Sequence, residues 1–317
     1  MSVDADLQAF LELAEFSRLT GKSQAMHQLS LEQARRDFEN TSLLLDPEPP
    51  QDLRVSEQRI TCRDGYSMPV RVYRHGGSTP RATLLYLHGG GYVVGSLDSH
   101  DCVCRRLAAL GDYAVVAPAY RLAPEKPFPT ALFDCQDAAD WLHHHAADLG
   151  LDASRVVLAG DSVGATLASV VAIMAADSPR QSALTPVAQL LFYPVTDCSQ
   201  LRPSHQRYAE GYLLETRTLG WFYNHYLPAG HANRDWRVSP LLHDNLPTLA
   251  PAYINLAQHD PLFDEGQAYA DKLKASGTAT TLRIESGLTH DFLRMSGITS
   301  ETANVYTAVG QWLHETL

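Results

Sequence analysis

Long hydrophobic runs are missing from this sequence of 317 residues. No stretch approaches the roughly 18 to 20 consecutive apolar residues that a membrane-spanning helix needs. The first ten residues, MSVDADLQAF, carry acidic side chains where a secretory signal would carry Lys or Arg, and no continuous apolar core follows them. We therefore expect a cytoplasmic protein with no membrane partner.

Basic clusters are also missing. Lys and Arg number 25 against 36 Asp and Glu, and the formal net charge is -11. Because no run of Lys or Arg offers phosphate groups a binding stripe, the composition argues against nucleic acid as a partner. The negative charge favours neutral substrates over anionic ones.

Cysteine is scarce and irregularly placed. An odd number of thiols at uneven spacing suits free cysteines in a reducing compartment better than a disulfide framework. Cys102 and Cys104 are separated by one residue and lack a second pair, so the spacing predicts neither a zinc site nor any other metal site. The five residues are Cys62, Cys102, Cys104, Cys135 and Cys198.

What the sequence does contain is an alternation of short apolar runs with helical patterns. Residues 1–45 look helical, three prolines follow, and 55–73 reads as an antiparallel hairpin at a sheet edge. Buried strands that alternate with helices imply a mainly parallel, doubly wound α/β sheet. The strand runs are 82–87, 113–117, 155–159, 187–193, 252–257 and 280–284, and the helical patterns are 99–110, 130–149, 162–176 and 265–276.

One connection is too long for a simple crossover. More than fifty residues from Asp197 to Pro251 contain aromatics but no strand run, which indicates an insertion. The length also permits two separate domains. We predict a catalytic domain at 51–196 and 246–317, an inserted cap segment at 197–245, and an N-terminal helical cap segment at 1–50.

The motif Gly-Asp-Ser-Val-Gly at 160–164 follows one predicted strand and precedes a helix. This strand–turn–helix context is the one that a nucleophile elbow requires, so Ser162 is the candidate nucleophile. At the helix N-terminus the amide of Val163 would stabilise negative charge on an oxygen near Ser162. The alternative interpretation is a tight glycine turn with an incidental serine.

The motif His-Gly-Gly-Gly-Tyr at 88–92 follows another strand. Consecutive glycines expose bare amides, and two such donors together with Val163 would hold a tetrahedral oxyanion. A flexible loop or a phosphate nest is the alternative, although no GK[ST] completes a phosphate loop. We expect His88 itself to brace the loop by hydrogen bonding.

A serine nucleophile needs a base, and in this type of fold the order along the chain is serine, acid, histidine. Asp260 closes one strand run, and His290 lies in the loop after the last strand. The spacing leaves Asp264 and His259 open as competitors.

Taken together, these motifs resemble the hormone-sensitive-lipase-like, or bacterial family IV, esterases. The resemblance implies an α/β-hydrolase domain with a helical cap, a Ser162, Asp260, His290 triad, and an oxyanion hole from the amides of Gly90, Gly91 and Val163. It implies a carboxylesterase for short- to medium-chain acyl esters that uses no cofactor, and it favours Asp260 over Asp264. The matching segments are HGGGY at 88–92, YRLAPE at 120–125, FP at 128–129, GDSVG at 160–164, DPLFDEG at 260–266, and His290 with Phe292.

Two residues depart from the family pattern. Val163 stands where the family usually has Ala, and Asp291 stands where it often has Gly. Val163 still offers its amide. Asp291 places a second carboxylate beside His290, where it would raise the pKa of the imidazole.

The substrate pocket is harder to predict, because most aromatics of the insertion belong to cap packing rather than to an acyl site. Rival interpretations are a peptidase with the same triad and a catalytically inactive ligand-binding module. A homodimer is expected on general grounds. The predicted pocket residues are Tyr92, Tyr193, Leu213 and Phe222.

Overall fold

The computed structural model describes residues 2–77, 80–178, 184–228 and 233–317, and its core is one eight-stranded sheet. The predicted strand runs all form strands of this sheet. The strands are β1 (Arg54–Thr61), β2 (Ser67–Arg74), β3 (Ala82–Leu87), β4 (Tyr113–Pro118), β5 (Val156–Asp161), β6 (Ala188–Phe192), β7 (Ala252–His259) and β8 (Thr280–Thr289).

The sheet is mainly parallel, as the alternation of strands and helices predicts. Its order is β1-β2-β4-β3-β5-β6-β7-β8. β1 and β2 form the predicted antiparallel hairpin, and β2 pairs antiparallel with β4, while every later pairing is parallel. Every residue of β3, β4, β5 and β6 is buried, which is why these strands are continuous apolar runs without alternation.

Helices cover the sheet. α5 begins one residue after Ser162 and is buried along most of its length, so it forms the central packing layer behind the elbow. α9 lies outside the predicted alternation because it follows the last strand. The helices are α1 (Ala5–Leu19), α2 (Leu31–Leu45), α3 (Asp101–Ala108), α4 (Thr130–His145), α5 (Val163–Asp177), α6 (Pro203–Arg207), α7 (Thr216–Tyr226), α8 (Phe263–Ala275) and α9 (Glu301–Thr316).

The N-terminal segment consists of two capped helices. The Asp4 carboxylate accepts from the Leu7 amide at 3.2 Å at the start of α1, and Ser30 Oγ accepts from the Gln33 amide at 3.3 Å at the start of α2. Such side-chain acceptors satisfy amides that have no partner within the helix. The insertion between β6 and β7 contributes α6 and α7, and residues 229–232 of the predicted cap lie outside the described part.

The five cysteines are all free thiols, four of them buried. Burial raises the pKa of Cys62, Cys102 and Cys198 to about 12, so these thiols are protonated and unreactive at neutral pH. Within the described ranges, no helix has the length and apolarity needed to cross a membrane.

Candidate active site

Ser162 lies on a sharp turn between β5 and α5. Its backbone adopts φ 53° and ψ -123°, a positive-φ conformation that is uncommon for any residue with a side chain. The Ser162 amide donates to the Phe192 carbonyl of β6 at 2.9 Å, which holds the turn against the sheet. The strain that such a conformation stores is typical of functional sites.

His290 connects this serine to a carboxylate. Its Nε2 lies 3.0 Å from Ser162 Oγ, and its Nδ1 lies 2.7 Å from Asp260 Oδ2. The second carboxylate oxygen, Asp260 Oδ1, accepts from the Leu262 amide at 2.9 Å. Both side-chain oxygens of Asp260 are therefore engaged, and the carboxylate is held in one orientation behind the imidazole.

The two competitors face elsewhere. Asp264 Oδ2 accepts from the Ser204 amide at 2.8 Å, at the start of α6. The His259 ring stacks on Tyr212 with a centroid distance of 5.7 Å. The structure therefore places Asp260, and neither competitor, at the Ser162–His290 pair.

The electrostatic environment keeps His290 basic. Burial alone would lower the pKa of this imidazole, but the charge of Asp260 and its hydrogen bond act in the opposite direction. Asp291 and Asp161 add to the same effect, and the net pKa of His290 is raised above its ordinary value. A base with a raised pKa takes up the serine proton more readily.

The glycine loop after β3 runs beside Ser162. Gly90, Gly91 and Val163 all line the same cavity as Ser162 and His290. Gly91 has φ 61°, and an added Cβ would lie 2.1 Å from the ring of Phe222. A side chain at this position is excluded because the Phe222 ring packs directly against Gly91.

Asp161 holds this loop in place. It is 2% exposed, and its Oδ1 accepts from the Gly89 amide at 2.8 Å and from the Tyr86 hydroxyl. Burial alone would raise the pKa of Asp161, but His100, Tyr86 and Arg294 outweigh burial and lower it to about 2. The carboxylate of Asp161, which directly precedes Ser162, is therefore charged although it is buried, and it binds the glycine loop to the elbow.

His88 braces the loop from the other side. Its Nδ1 lies 2.7 Å from the Gly89 carbonyl oxygen, and its ring stacks on Tyr120 at 4.3 Å. Burial lowers the pKa of His88 to about 3, so the imidazole is neutral. It has a structural role, as expected from the sequence.

A cavity of about 520 Å³ opens over Ser162. Both segments that flank the sheet contribute to its wall, and the lining is mostly apolar. The N-terminal helices contribute Phe10, Ala14, Phe38 and Leu44, and the insertion contributes Leu213, Leu214, Leu219, Phe222 and Tyr223.

Two of the predicted pocket residues lie elsewhere, while Leu213 and Phe222 line the cavity. Tyr92 is 1% exposed because its ring stacks on Tyr226, with centroids 3.6 Å apart. Tyr193 is fully buried and packs its ring 4.6 Å from the His290 ring. The prediction that Tyr92 and Tyr193 form the pocket is therefore corrected: the first anchors the glycine loop to the insertion, and the second packs against the imidazole.

Several residues at the site were not predicted. Asp161 belongs to the GDSVG motif, and its position next to the serine was the available signal. Arg294 binds Asp291, and the spacing of three residues between opposite charges at a turn was the signal there. Glu215 lines the cavity and binds Arg18 of α1, a partner 197 residues away that no local pattern indicates.

One group in the described ranges has the composition of a metal site, and its residues are not among those that line the cavity over Ser162. Cys62, Asp134 and Asp137 lie close together near β1 and α4. Each carboxylate is already neutralised: Asp134 binds Arg121 at 2.7 Å, and Asp137 binds Arg63 at 2.7 Å. Because the thiol is also protonated, this group does not have the deprotonated, unpaired ligands that a metal requires.

A serine on a strand–turn–helix elbow of a mainly parallel sheet, bound to a His–Asp pair, is the architecture of the α/β-hydrolase class. The sequence matches the α/β hydrolase fold family over residues 84–294.

Known relatives narrow the class. The chain is 47% identical over 304 residues to an ethyl acetate hydrolase of Pseudomonas putida, covering 95% of both chains. It resembles the structure of an ester hydrolase from the metagenome of Lake Arreo, bound to a bipyridine phosphonate derivative, with a TM-score of 0.91, 32% identity, and 98% and 97% coverage. A hyperthermophilic esterase of Pyrobaculum calidifontis matches with a TM-score of 0.90, 34% identity, and 98% and 97% coverage.

The chain belongs to the hormone-sensitive-lipase-like carboxylesterases of the α/β-hydrolase family. The predicted fold and family are confirmed.

Proposed function

We propose that this carboxylesterase cleaves short- to medium-chain acyl esters through a covalent intermediate on Ser162. The observation that carries the proposal is the pair of contacts made by His290, 3.0 Å to Ser162 Oγ and 2.7 Å to Asp260 Oδ2. An imidazole bonded on both sides in this way has the geometry of a general base oriented by a carboxylate.

The proposed reaction has two halves. His290 Nε2 takes the proton of Ser162 as Oγ attacks the ester carbonyl carbon, and the oxyanion is stabilised by the amides of Gly90, Gly91 and Val163. The protonated imidazole gives that proton to the leaving alkoxide, and the acyl group stays on Ser162. Water then attacks the acyl-enzyme with the same base, and the carboxylic acid leaves. No step requires a metal or an organic cofactor.

The two flanking segments, 1–50 and 197–245, act in this proposal as a cap that shapes the substrate cavity. Residues from both segments line the cavity above Ser162. The relative named ethyl acetate hydrolase, 47% identical over almost the whole chain, supports a preference for short acyl groups. The mostly apolar wall supports neutral esters rather than charged ones.

Activity is expected to fall on the acid side of neutrality. His290 must be neutral to accept the serine proton, and its pKa is raised, so activity is lost as the pH falls through that raised value. We expect the acid limb of kcat/KM for p-nitrophenyl butyrate to have its midpoint above about 6.5, the ordinary value for histidine. A midpoint below that value would contradict this assignment of the base.

The proposal is tested with p-nitrophenyl acetate, butyrate, octanoate and palmitate. Initial rates are measured on folded protein, and an alkyl phosphonate ester is added in parallel with intact-mass detection and peptide mapping. We expect turnover that is highest on the shorter esters and a single phosphonyl adduct on Ser162. Folded protein without turnover and without an adduct would instead support a ligand-binding module.

We also propose that the protein works in the cytoplasm, which the five free thiols support. A homodimer remains a prediction, and light scattering after gel filtration would test it.

A further inference from the structure

Asp291, the residue after the proposed base, forms a partly buried turn with Arg294. Asp291 has φ 72°, a left-handed conformation that glycine adopts without cost and that aspartate tolerates. Arg294 Nε donates to Asp291 Oδ1 at 2.9 Å, and Arg294 Nη2 donates to Asp291 Oδ2. The Arg294 side chain is 2% exposed and that of Asp291 is 22% exposed, so the ion pair that fixes this turn is partly buried, with its carboxylate at the cavity wall.

The same arginine reaches the N-terminal segment. Its Nη1 donates to Ser42 Oγ, and its guanidinium carbon lies 4.1 Å from the ring centroid of Phe38. Both partners are on α2. A third contact joins the segment after His290 to α2: the Gly297 amide donates to the Leu45 carbonyl at 2.8 Å. The loop that carries His290 is therefore bound to α2 around a buried charge.

α2 also binds the glycine loop. Arg35 Nε donates to the Val93 carbonyl at 2.9 Å, and Arg35 Nη2 donates to the Ala123 carbonyl at 3.0 Å. The amides of Val93 and Val94 in turn donate to the Gly90 carbonyl at 3.0 and 2.9 Å. One helix thus contacts both the loop of the proposed base and the loop of the proposed oxyanion hole.

We propose that Asp291 and Arg294 are positioning residues, which hold His290 against Ser162 by fixing its loop to α2. The inference rests on the proposed function, in which His290 is the base. Its physical basis is the sensitivity of proton transfer to geometry, since a misplacement of about 1 Å costs on the order of a hundredfold in rate. Loss of Arg294 also removes both hydrogen bonds that hold the Asp291 carboxylate, together with the contacts of this loop to Ser42 and Phe38.

A purely structural role would leave the ionisation of His290 unchanged, whereas charged residues beside the imidazole are expected to change it. The charged groups around His290 are Asp260 on the turn after β7, Asp161 at the elbow, and Asp291 with Arg294 on its own loop. Asp291 raises the pKa of His290, and Arg294 neutralises Asp291. Loss of Arg294 therefore moves the acid limb of kcat/KM to higher pH, and loss of both residues moves it to lower pH.

The test compares Arg294→Met with Arg106→Met. Arg106 binds Asp46 at 2.5 and 2.6 Å and docks the C-terminal end of α2 on the catalytic domain. In the described part of the chain its hydrogen bonds go to Asp46 and Glu48 and to neither loop, so it is a control for the docking of α2. We expect Arg294→Met to lower kcat for p-nitrophenyl butyrate about 10- to 100-fold and leave KM within about threefold, with kcat of Arg106→Met within about threefold of wild type.

Two further variants keep the test decisive if Arg294→Met does not fold. Asp291→Gly with Arg294→Met removes both charges and suits the positive φ, and it should show a similar loss in kcat with the acid limb moved to lower pH. Arg294→Lys retains the charge but not the bidentate contact, so it should keep the wild-type acid limb and recover part of kcat.

The inference is overturned if the double variant, or Arg294→Met where it folds, matches Arg106→Met in kcat, whatever its pH profile shows. Ser162→Ala, measured alongside, separates this result from failure of the proposed function. Activity retained in Ser162→Ala would reject the proposed nucleophile, whatever the arginine variants show.

Discussion

Ser162→Ala is expected to lower kcat for p-nitrophenyl butyrate by roughly 10⁵- to 10⁶-fold, a loss of the size seen when one member of a coupled triad is removed. The substitution deletes the only atom that forms the acyl bond in the proposed mechanism. The substitution removes the contact of Ser162 Oγ with His290, and alanine, which is smaller than serine, fits the same site. The amides of Gly90, Gly91 and Val163 remain, so slow water attack on the bound ester is the residual reaction.

The measurement is a progress curve at high enzyme concentration, with Ser154→Ala as the matched control. Ser154 is an exposed serine that binds Asp152 before β5, and its loss should leave kcat within about twofold of wild type. His290→Ala should cost nearly as much as Ser162→Ala, and the double variant should cost little more, because the two act as a unit. Ser162→Ala with more than about one-hundredth of wild-type activity would rule out this nucleophile.

Most of the candidate site is predictable because its positions follow from topology. Parallel strands end at one edge of the sheet, so residues after β5, β7 and β8 must meet there. Ser162, Asp260 and His290 each follow one of these strands, and their sequence neighbours identify the turn type. Spacing alone does not distinguish Asp260 from Asp264, because both flank the same turn. The difference lies in a contact between distant residues: the Asp264 carboxylate accepts from the Ser204 amide of α6 and so faces away from His290.

The pocket is less predictable, since it depends on contacts between distant segments. Tyr92 looks like a pocket residue because it follows the glycine loop, yet its ring is covered by Tyr226 of the insertion. Tyr193 follows β6 toward the same edge, but its positive φ of 37° accompanies a ring buried beside His290. Neither the local sequence pattern nor hydrophobicity predicts which aromatic ring will be buried by a distant segment of the chain.

The partners of charged side chains on and near α2 are equally hard to predict from the sequence. The spacing of Asp291 and Arg294 indicates an ion pair, but the partner of that pair on α2, Ser42, is 252 residues away. The approach of Arg35 to the glycine loop is likewise a contact to backbone carbonyls, which carry no residue-specific signal.

Gly164→Ala is expected to destabilise the protein severely, because α5 packs against β3 with no room for a methyl group. An added Cβ at Gly164 would lie 2.0 Å from the Leu87 carbonyl oxygen and 2.5 Å from the His88 carbonyl oxygen. Both are backbone atoms, and β3 is held between β4 and β5 in the centre of the sheet. We expect the free energy of unfolding to fall by more than about 4 kcal/mol, the range of severe core damage.

Gly220→Ala is the matched control, because Gly220 also lies inside a helix, α7. A Cβ there meets nothing within 4 Å, so the higher helix propensity of alanine should raise stability by up to about 1 kcal/mol. Urea unfolding followed by circular dichroism compares the variants, and soluble yield replaces it where Gly164→Ala does not fold. A Gly164→Ala protein within about 1 kcal/mol of wild type would mean that the elbow and the glycine loop are further apart than described. The clashing carbonyls belong to Leu87 and His88, which directly precede the glycine loop. The close approach that leaves no room for a side chain at Gly164 therefore also holds the elbow against this loop, in the cavity that Gly90, Gly91 and Val163 line together.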